Sequence, residues 1–154
     1  MANFRRQRCW LVILCLALAS CSRSQGYRKA TFPVTGEVYV DGKPAALLAV
    51  TCVDLRGIDE KHPTDSAAFT DEAGKFAIST YLSADGVPEG EYVLTFLWGQ
   101  HNLLTMTYGG PDKLKNRYTD SKQSKVCFTV VKGQRTDLGR IDLTTKTGER
   151  NTTR

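Results

Sequence analysis

The sequence has few of the side chains on which most enzyme and metal sites depend. It contains only two histidines among 154 residues, His62 and His101, and both lie in polar segments far apart along the chain. It shows no nucleophile paired with a base and no spaced DxDxDG loop, whereas calcium needs six to eight oxygen ligands. We therefore predict no catalytic residues, no metal site and no cofactor, and we interpret the acids of "TDEAGK" and "DGVPEGE" as solvated turn residues.

A helical pattern is also missing. No segment of ten or more residues carries apolar side chains at a period of 3.6 between helix caps. Apolar residues instead recur at every second position, as in "VTGEVYV", "LLAVTCVDL" and "GEYVLTFLW". Turn signals separate these short runs every 8–12 residues. The pattern predicts an all-β fold, a single Greek-key β-sandwich of about seven strands.

Residues 1–20 have the composition of a secretory signal. Three arginines and no acid come first, and an apolar run from Trp10 to Ala19 follows. That run is too short for a bilayer about 30 Å thick, which takes about 20 helical residues to cross. The residues Leu18-Ala19-Ser20-Cys21 then resemble the lipobox of bacterial lipoproteins. The resemblance implies diacylglyceryl transfer to the Cys21 thiol, cleavage before Cys21 and acylation of the new N-terminus.

Two alternatives remain open for this segment. One is an ordinary signal whose cysteine is incidental, and the other is twin-arginine export through "RRQR". Ser22 stands where many Gram-negative lipoproteins that stay in the inner membrane carry aspartate. We therefore expect an exported protein anchored to the outer membrane, on its periplasmic or surface face.

Charge argues against a nucleic-acid partner. The whole chain has 21 Lys and Arg against 16 Asp and Glu, but Arg5, Arg6 and Arg8 leave with the predicted signal. The mature chain then has 18 basic and 16 acidic residues. No predicted face gathers the basic ones, and a nearly neutral surface without a basic stripe does not favour nucleic acid.

The mature chain divides into three parts. Residues 21–33 are the lipidated cysteine and a polar tether, residues 34–143 the β-sandwich domain, and residues 144–154 a polar tail. Polar, aperiodic sequence marks both flanking segments. We predict one domain, because its length suffices for one hydrophobic core.

The order of motifs in this domain resembles a known family. "VTGEVYVDGKPA", "FTDEAGKFAIST" and "DGVPEGEYVLTFLW" are similar to the carboxypeptidase regulatory-like, or transthyretin-like, modules, and "DKLKNRYTDSKQS" resembles a segment of small planctomycete lipoproteins. The resemblance covers about residues 34–143 and implies the fold rather than an activity, since its motifs are turn and core residues. Hydroxyisourate hydrolases of this fold need several histidines and a characteristic C-terminal tetrapeptide, which "NTTR" does not match.

The segment 99–124 is the candidate recognition surface. It is about 26 residues long without a clear period, which is long for a connection without structure of its own. Together with the preceding tryptophan it supplies aromatic rings and cations, namely Trp98, Tyr108, Lys113, Lys115, Arg117 and Tyr118. Such a mixture suits a sugar, a peptide or an anionic polymer. The alternative is that Leu114 and Tyr118 only pin the segment against the sandwich.

These observations predict a lipid-anchored envelope protein with a non-catalytic binding or structural module. The membrane is its partner through the lipid on Cys21, and an envelope glycan or protein is the second partner class. The alternative function is that of an accessory domain in a membrane transport or secretion complex.

Strand alternation also predicts the state of the domain's two cysteines. Cys52 shares a strand face with Leu48 and Val50, whereas Cys127 alternates with Val126 and Phe128. Because successive side chains point to opposite faces, Cys52 should face the core and Cys127 the outside. A disulfide needs Cβ atoms about 3.5–4.5 Å apart, so we expect no bond between them.

Overall fold

The computed structural model describes residues 27–102 and 107–146, of which 101 and 102 are described by their backbone alone. These residues contain twelve strands. The strands are β1 (Thr31–Phe32), β2 (Val34–Val40), β3 (Lys43–Pro44), β4 (Ala49–Asp54), β5 (Ser66–Phe69), β6 (Lys75–Ala77), β7 (Val87–Pro88), β8 (Gly90–Leu97), β9 (Gln100–Asn102), β10 (Thr107–Gly109), β11 (Cys127–Val130) and β12 (Thr136–Leu143). The predicted all-β class is confirmed. Cys21 and the predicted signal lie outside these ranges, and within them no helix is long and apolar enough to cross a bilayer.

Two sheets enclose one core and make the fold a β-sandwich. The first sheet has the strand order β11-β8-β4-β5, and its strands are antiparallel. The second has the order β12-β2-β3, with β6 also paired to β2. β12 runs parallel to β2, and Ile141 lies opposite Val38. Backbone hydrogen bonds between Ala67 and Ser79 connect the sheets where the chain passes from one to the other.

The alternating apolar residues of both sheets meet between them. Each of the long strands contributes every second side chain to one cluster, which includes Val34, Val38, Val40, Leu48, Val50, Tyr92, Leu94, Phe96, Ile141 and Leu143. Strand β8 is covered on both faces, because Val93 and Thr95 are buried as well. Burial of this apolar area is the main force that holds the two sheets together.

The fold extends past both boundaries drawn from the sequence. β1 begins at Thr31, before residue 34, and pairs with β7. After residue 143, Thr144 and Thr145 both hydrogen-bond the carboxylate of Asp41. Both extensions are held by hydrogen bonds of backbone and polar groups. Such contacts need no apolar alternation, so the sequence pattern does not reveal them.

The segment 99–124 has secondary structure that its sequence does not reveal. β9 and β10 form an antiparallel hairpin in which residue 108 faces residue 101. Strands of three residues are too short to show alternation, so the hairpin carries no readable period.

The two cysteines of the domain take the orientations that alternation predicts. Cys52 is buried, Cys127 is exposed, and both thiols are free. They stand on two sides of β8, since Cys52 pairs with Leu94 and Cys127 with Val93. Burial raises the pKa of the Cys52 thiol to about 12. That thiol is therefore protonated and unreactive at neutral pH.

Alkylation of the folded protein should separate the two thiols. We expect iodoacetamide at pH 8 to modify Cys127 about 100-fold faster than Cys52 or more, because only an accessible thiolate reacts. In denaturant without reductant both should react, as peptide mass spectrometry will show. Label that enters the denatured protein only after reduction would reveal a disulfide and contradict the strand register.

Candidate functional site

All six predicted recognition residues lie at one end of the sandwich. We name this the far end, formed by the β2–β3 turn, the β3–β4 loop, Phe69 with the β5–β6 turn, residues 97–102 and 107–118, and residues 144–146. The opposite tether end carries residues 27–33 and the loops 55–65, 79–89 and 131–135. β2 runs from the tether end to the far end, and its seven residues separate the two ends by about 20 Å at about 3.3 Å per residue.

Asp112 fixes the segment that follows β10. Its Oδ1 accepts hydrogen bonds from the backbone N–H groups of Trp98 at 2.9 Å and Leu114 at 3.0 Å. Its Oδ2 accepts one from the N–H of Asn116 at 2.8 Å. One carboxylate therefore ties three backbone donors together and joins the segment to the end of β8. Sequence reasoning missed this residue, although aspartate after proline in "GGPDK" is a turn signal that could have identified it.

Leu114 anchors the same segment in the core. Its side chain is fully buried in the main apolar cluster. Lys115 and Asn116 then take left-handed φ angles of 58° and 57°, which turn the chain back toward the surface. The pinning role considered for Leu114 is confirmed.

Trp98 supports the first of those exposed side chains. The indole Nε1–H donates to the carbonyl oxygen of Ala46 at 3.0 Å. The ammonium of Lys113 lies 4.5 Å from the centroid of the indole ring. At an exposed site this cation–π contact contributes about 0.5–1 kcal/mol. Lys113 is thus held in position while its charge stays in solvent.

Tyr108 joins the β9–β10 hairpin to the rest of the far end. Its hydroxyl lies 2.8 Å from the carbonyl oxygen of Leu47 and 3.0 Å from that of Leu97. The same hydroxyl accepts a hydrogen bond from the N–H of Gly99 at 2.8 Å. Desolvation by burial raises the pKa of Tyr108. These contacts give Tyr108 a structural role.

Tyr118 and Arg117 pack against the end of β12. The Tyr118 hydroxyl accepts a hydrogen bond from the N–H of Thr144 at 3.1 Å. The guanidinium carbon of Arg117 lies 5.5 Å from the Tyr118 ring, and one Nη donates to the carbonyl oxygen of Lys146. The other two nitrogens of Arg117, Nε and Nη2, are buried and have no acceptor in the part of the chain described here. Donors left in that state cost about 1–3 kcal/mol.

The far end has a surplus of available positive charge. Its exposed or half-buried cations are Lys43, Lys113, Lys115, Arg117 and Lys146. Its aspartates are already engaged, because Asp41, Asp71 and Asp112 each accept hydrogen bonds from backbone N–H groups. The hydrogen bonds from Thr145 and Thr144 also lower the pKa of Asp41. Glu72, on the turn between β5 and β6, is the remaining exposed acid among the described residues of the far end.

The histidines and turn carboxylates of the described residues lie apart from one another. None of their histidines, cysteines and carboxylates cluster in threes that could hold a metal ion. His62 lies at the tether end, stacked on Tyr27 with ring centroids 4.0 Å apart. Asp71 and Asp85 each accept two or more backbone hydrogen bonds within their own turns. The turn role predicted for Asp71 and Asp85 is confirmed, whereas Glu91 lies within β8.

Comparison with known proteins assigns no family to this chain. No family model and no curated protein matches it. Among solved structures it is similar to a 9R-lipoxygenase from Cyanothece PCC8801, with a TM-score of 0.38, 16% identity and coverage of 86% of this chain and 20% of that one. It is also similar to a DUF3823 family protein from Parabacteroides merdae ATCC 43184, with a TM-score of 0.38, 15% identity and coverage of 76% and 46%. The chain spans less than half of either protein, and such scores assign neither family nor activity.

Proposed function

We propose that this protein is an exported lipoprotein, acylated on Cys21 and anchored to the outer membrane, whose β-sandwich is a non-catalytic binding module. The motif order supports a Greek-key module of the carboxypeptidase regulatory-like type. The observation that carries the binding role is the pair Lys113 and Lys115. Both are exposed on a segment that Asp112 and Leu114 hold in place.

The ligand chemistry follows from the groups at the far end. Lys113 and Lys115 offer charges in fixed positions, and Trp98 offers part of an aromatic face. A partner rich in carboxylate and hydroxyl oxygens suits the two exposed lysines, since both kinds of oxygen are acceptors for cationic donors. We infer an acidic envelope glycan, bound at low ordering cost because the surface is preorganised.

The position of the tether supports this assignment. The chain enters the sandwich at the tether end, and the far end lies about 20 Å away along β2. A lipid on Cys21 therefore directs the far end away from the membrane. An envelope polymer can reach the two lysines without displacing the domain from its anchor.

Removing the two charges tests the binding role. The variant Lys113→Gln/Lys115→Asn keeps the backbone, because asparagine tolerates the left-handed φ of residue 115. We expect its stability to change by less than about 1 kcal/mol. In affinity electrophoresis through polygalacturonate, a carboxylated polysaccharide, its retardation should fall at least threefold.

The matched control removes the same charge at the tether end. Lys132→Gln/Arg135→Gln alters two exposed cations and should be retarded as strongly as the wild type. A gel containing neutral dextran should retard none of the three proteins. Equal retardation of both double variants in polygalacturonate would show that binding does not use the far end.

A further inference from the structure

Exposed apolar side chains concentrate at the tether end. The described surface has seven large apolar residues with high exposure, and five of them lie there: Tyr27, Leu55, Ile58, Leu82 and Val131. Ile58 is the extreme case, with 84% of its surface exposed. Only Leu47 and Phe69 lie at the far end. An apolar surface at one end of a soluble domain indicates an interaction site.

Direct contacts hold the segments of the tether end together. Tyr27 stacks on His62 in the loop 55–65. Lys29 forms a 2.6 Å salt bridge to Asp59 in the same loop. The backbone N–H of Lys29 donates to the Tyr81 hydroxyl at 3.2 Å, and Tyr81 directly precedes Leu82. The incoming chain and two loops therefore present their apolar tips from one assembled surface.

We propose that the tether end docks on the lipid surface to which the protein is anchored. This inference rests on the proposed acylation of Cys21. Five residues lie between Cys21 and Tyr27, and the six steps from one to the other span at most about 22 Å. The exposed apolar tips are therefore confined close to the bilayer interface, at high effective concentration. Apolar side chains in that position partition into the boundary between headgroups and acyl chains.

The charges of the tether end indicate docking on apolar contacts rather than on anionic lipid. Three of its carboxylates are engaged: Asp54 by Arg56 at 2.8 Å, Asp59 by Lys29, and Asp85 by backbone N–H groups. The other charged side chains of mixed sign are Glu60, Asp65, Glu89, Arg28, Lys61, Lys132 and Arg135. They nearly cancel. Docking should therefore need no anionic lipid and should survive high salt.

A tryptophan placed in the docking surface reports its contact with lipid. Without the predicted signal, Trp98 at the far end is the only tryptophan. The lipidated full chain is reconstituted into vesicles of phosphatidylcholine, or of phosphatidylcholine brominated in its acyl chains, which quenches tryptophan on contact. For Ile58→Trp we expect the added emission to fall at least twofold in brominated vesicles, in 0.05 M and in 0.5 M NaCl alike. Leu82→Trp is a second, independent variant of the same surface.

The control places the same reporter at the far end. Phe69 is 49% exposed, and neither Phe69→Trp nor the wild type with Trp98 should lose more than about a tenth of its emission. Proteins that float with vesicles but show no quenching of Ile58→Trp and Leu82→Trp overturn the docking and leave the anchor standing. Proteins that do not float overturn the anchor, and the docking with it. A blue shift that grows with protein density without bromine quenching shows a second copy on this surface and also overturns lipid docking.

Discussion

An alanine at Gly86 is expected to lower the free energy of unfolding by more than about 4 kcal/mol, a loss that only severe defects cause. Gly86 has a φ of 83°, and a Cβ there would stand 1.7 Å from the carbonyl oxygen of Phe32. The clash is with backbone, so no side-chain rotation relieves it. Gly86 also donates its N–H to the carbonyl oxygen of Ile78 at 2.9 Å, so moving it breaks this contact. Circular dichroism during urea unfolding measures the change.

Gly42 supplies the matched control for that measurement. Its φ is 79°, close to that of Gly86, but no atom lies within 4 Å of an added Cβ. Gly42→Ala should therefore cost only the left-handed backbone term, about 1–2 kcal/mol. The difference between the two variants isolates the contact between Gly86 and β1. Equal costs would mean that β1 is not a fixed part of the fold.

Replacing Cys21 with serine should abolish lipidation completely. Serine has nearly the same size, but its hydroxyl does not take the place of the thiol as acceptor of the diacylglyceryl group. Each buried CH₂ of the lipid contributes about 0.8 kcal/mol, so several acyl chains fix the wild type to the membrane. We expect Cys21→Ser cells to show no palmitate label on this protein, and the mature-length protein to leave the membrane fraction.

Cys15→Ser is the control for that variant, because Cys15 lies inside the predicted signal. It should keep both the palmitate label and flotation with membranes. Palmitate still incorporated into Cys21→Ser would show that the lipobox interpretation is wrong.

The sequence predicts the strands of the core well. The strand predicted from "VTGEVYV" has the bounds of β2, and the strand predicted for residues 90–98 ends one residue beyond β8. The prediction of β2 succeeds because one of its faces is buried, so a shift of one residue would expose its apolar set. The prediction of β8 succeeds because a nearly continuous apolar run is typical of a strand buried on both faces. The inward Cys52 and outward Cys127 follow from the same alternation.

The far end was less predictable, because polar contacts between distant residues hold it. The indole of Trp98 donates to a carbonyl 52 residues earlier, and the Tyr108 hydroxyl meets one 61 residues earlier. Loop contacts of this kind have no period in the sequence. The sequence therefore predicted aromatic and cationic residues that do lie at one end of the fold. It could not distinguish residues that hold the fold together, such as Tyr108, from the exposed Lys113 and Lys115.

The most direct test of a lipid-anchored protein is the mass of its own N-terminus. The protein is extracted from membranes of cells that produce the wild type, and its N-terminal tryptic peptide is analysed by mass spectrometry. We predict a peptide that begins at Cys21, ends at Arg23, and carries a diacylglyceryl thioether and an N-linked acyl chain. A membrane-extracted protein whose Cys21 is unmodified, or whose chain begins at another residue, would contradict the account.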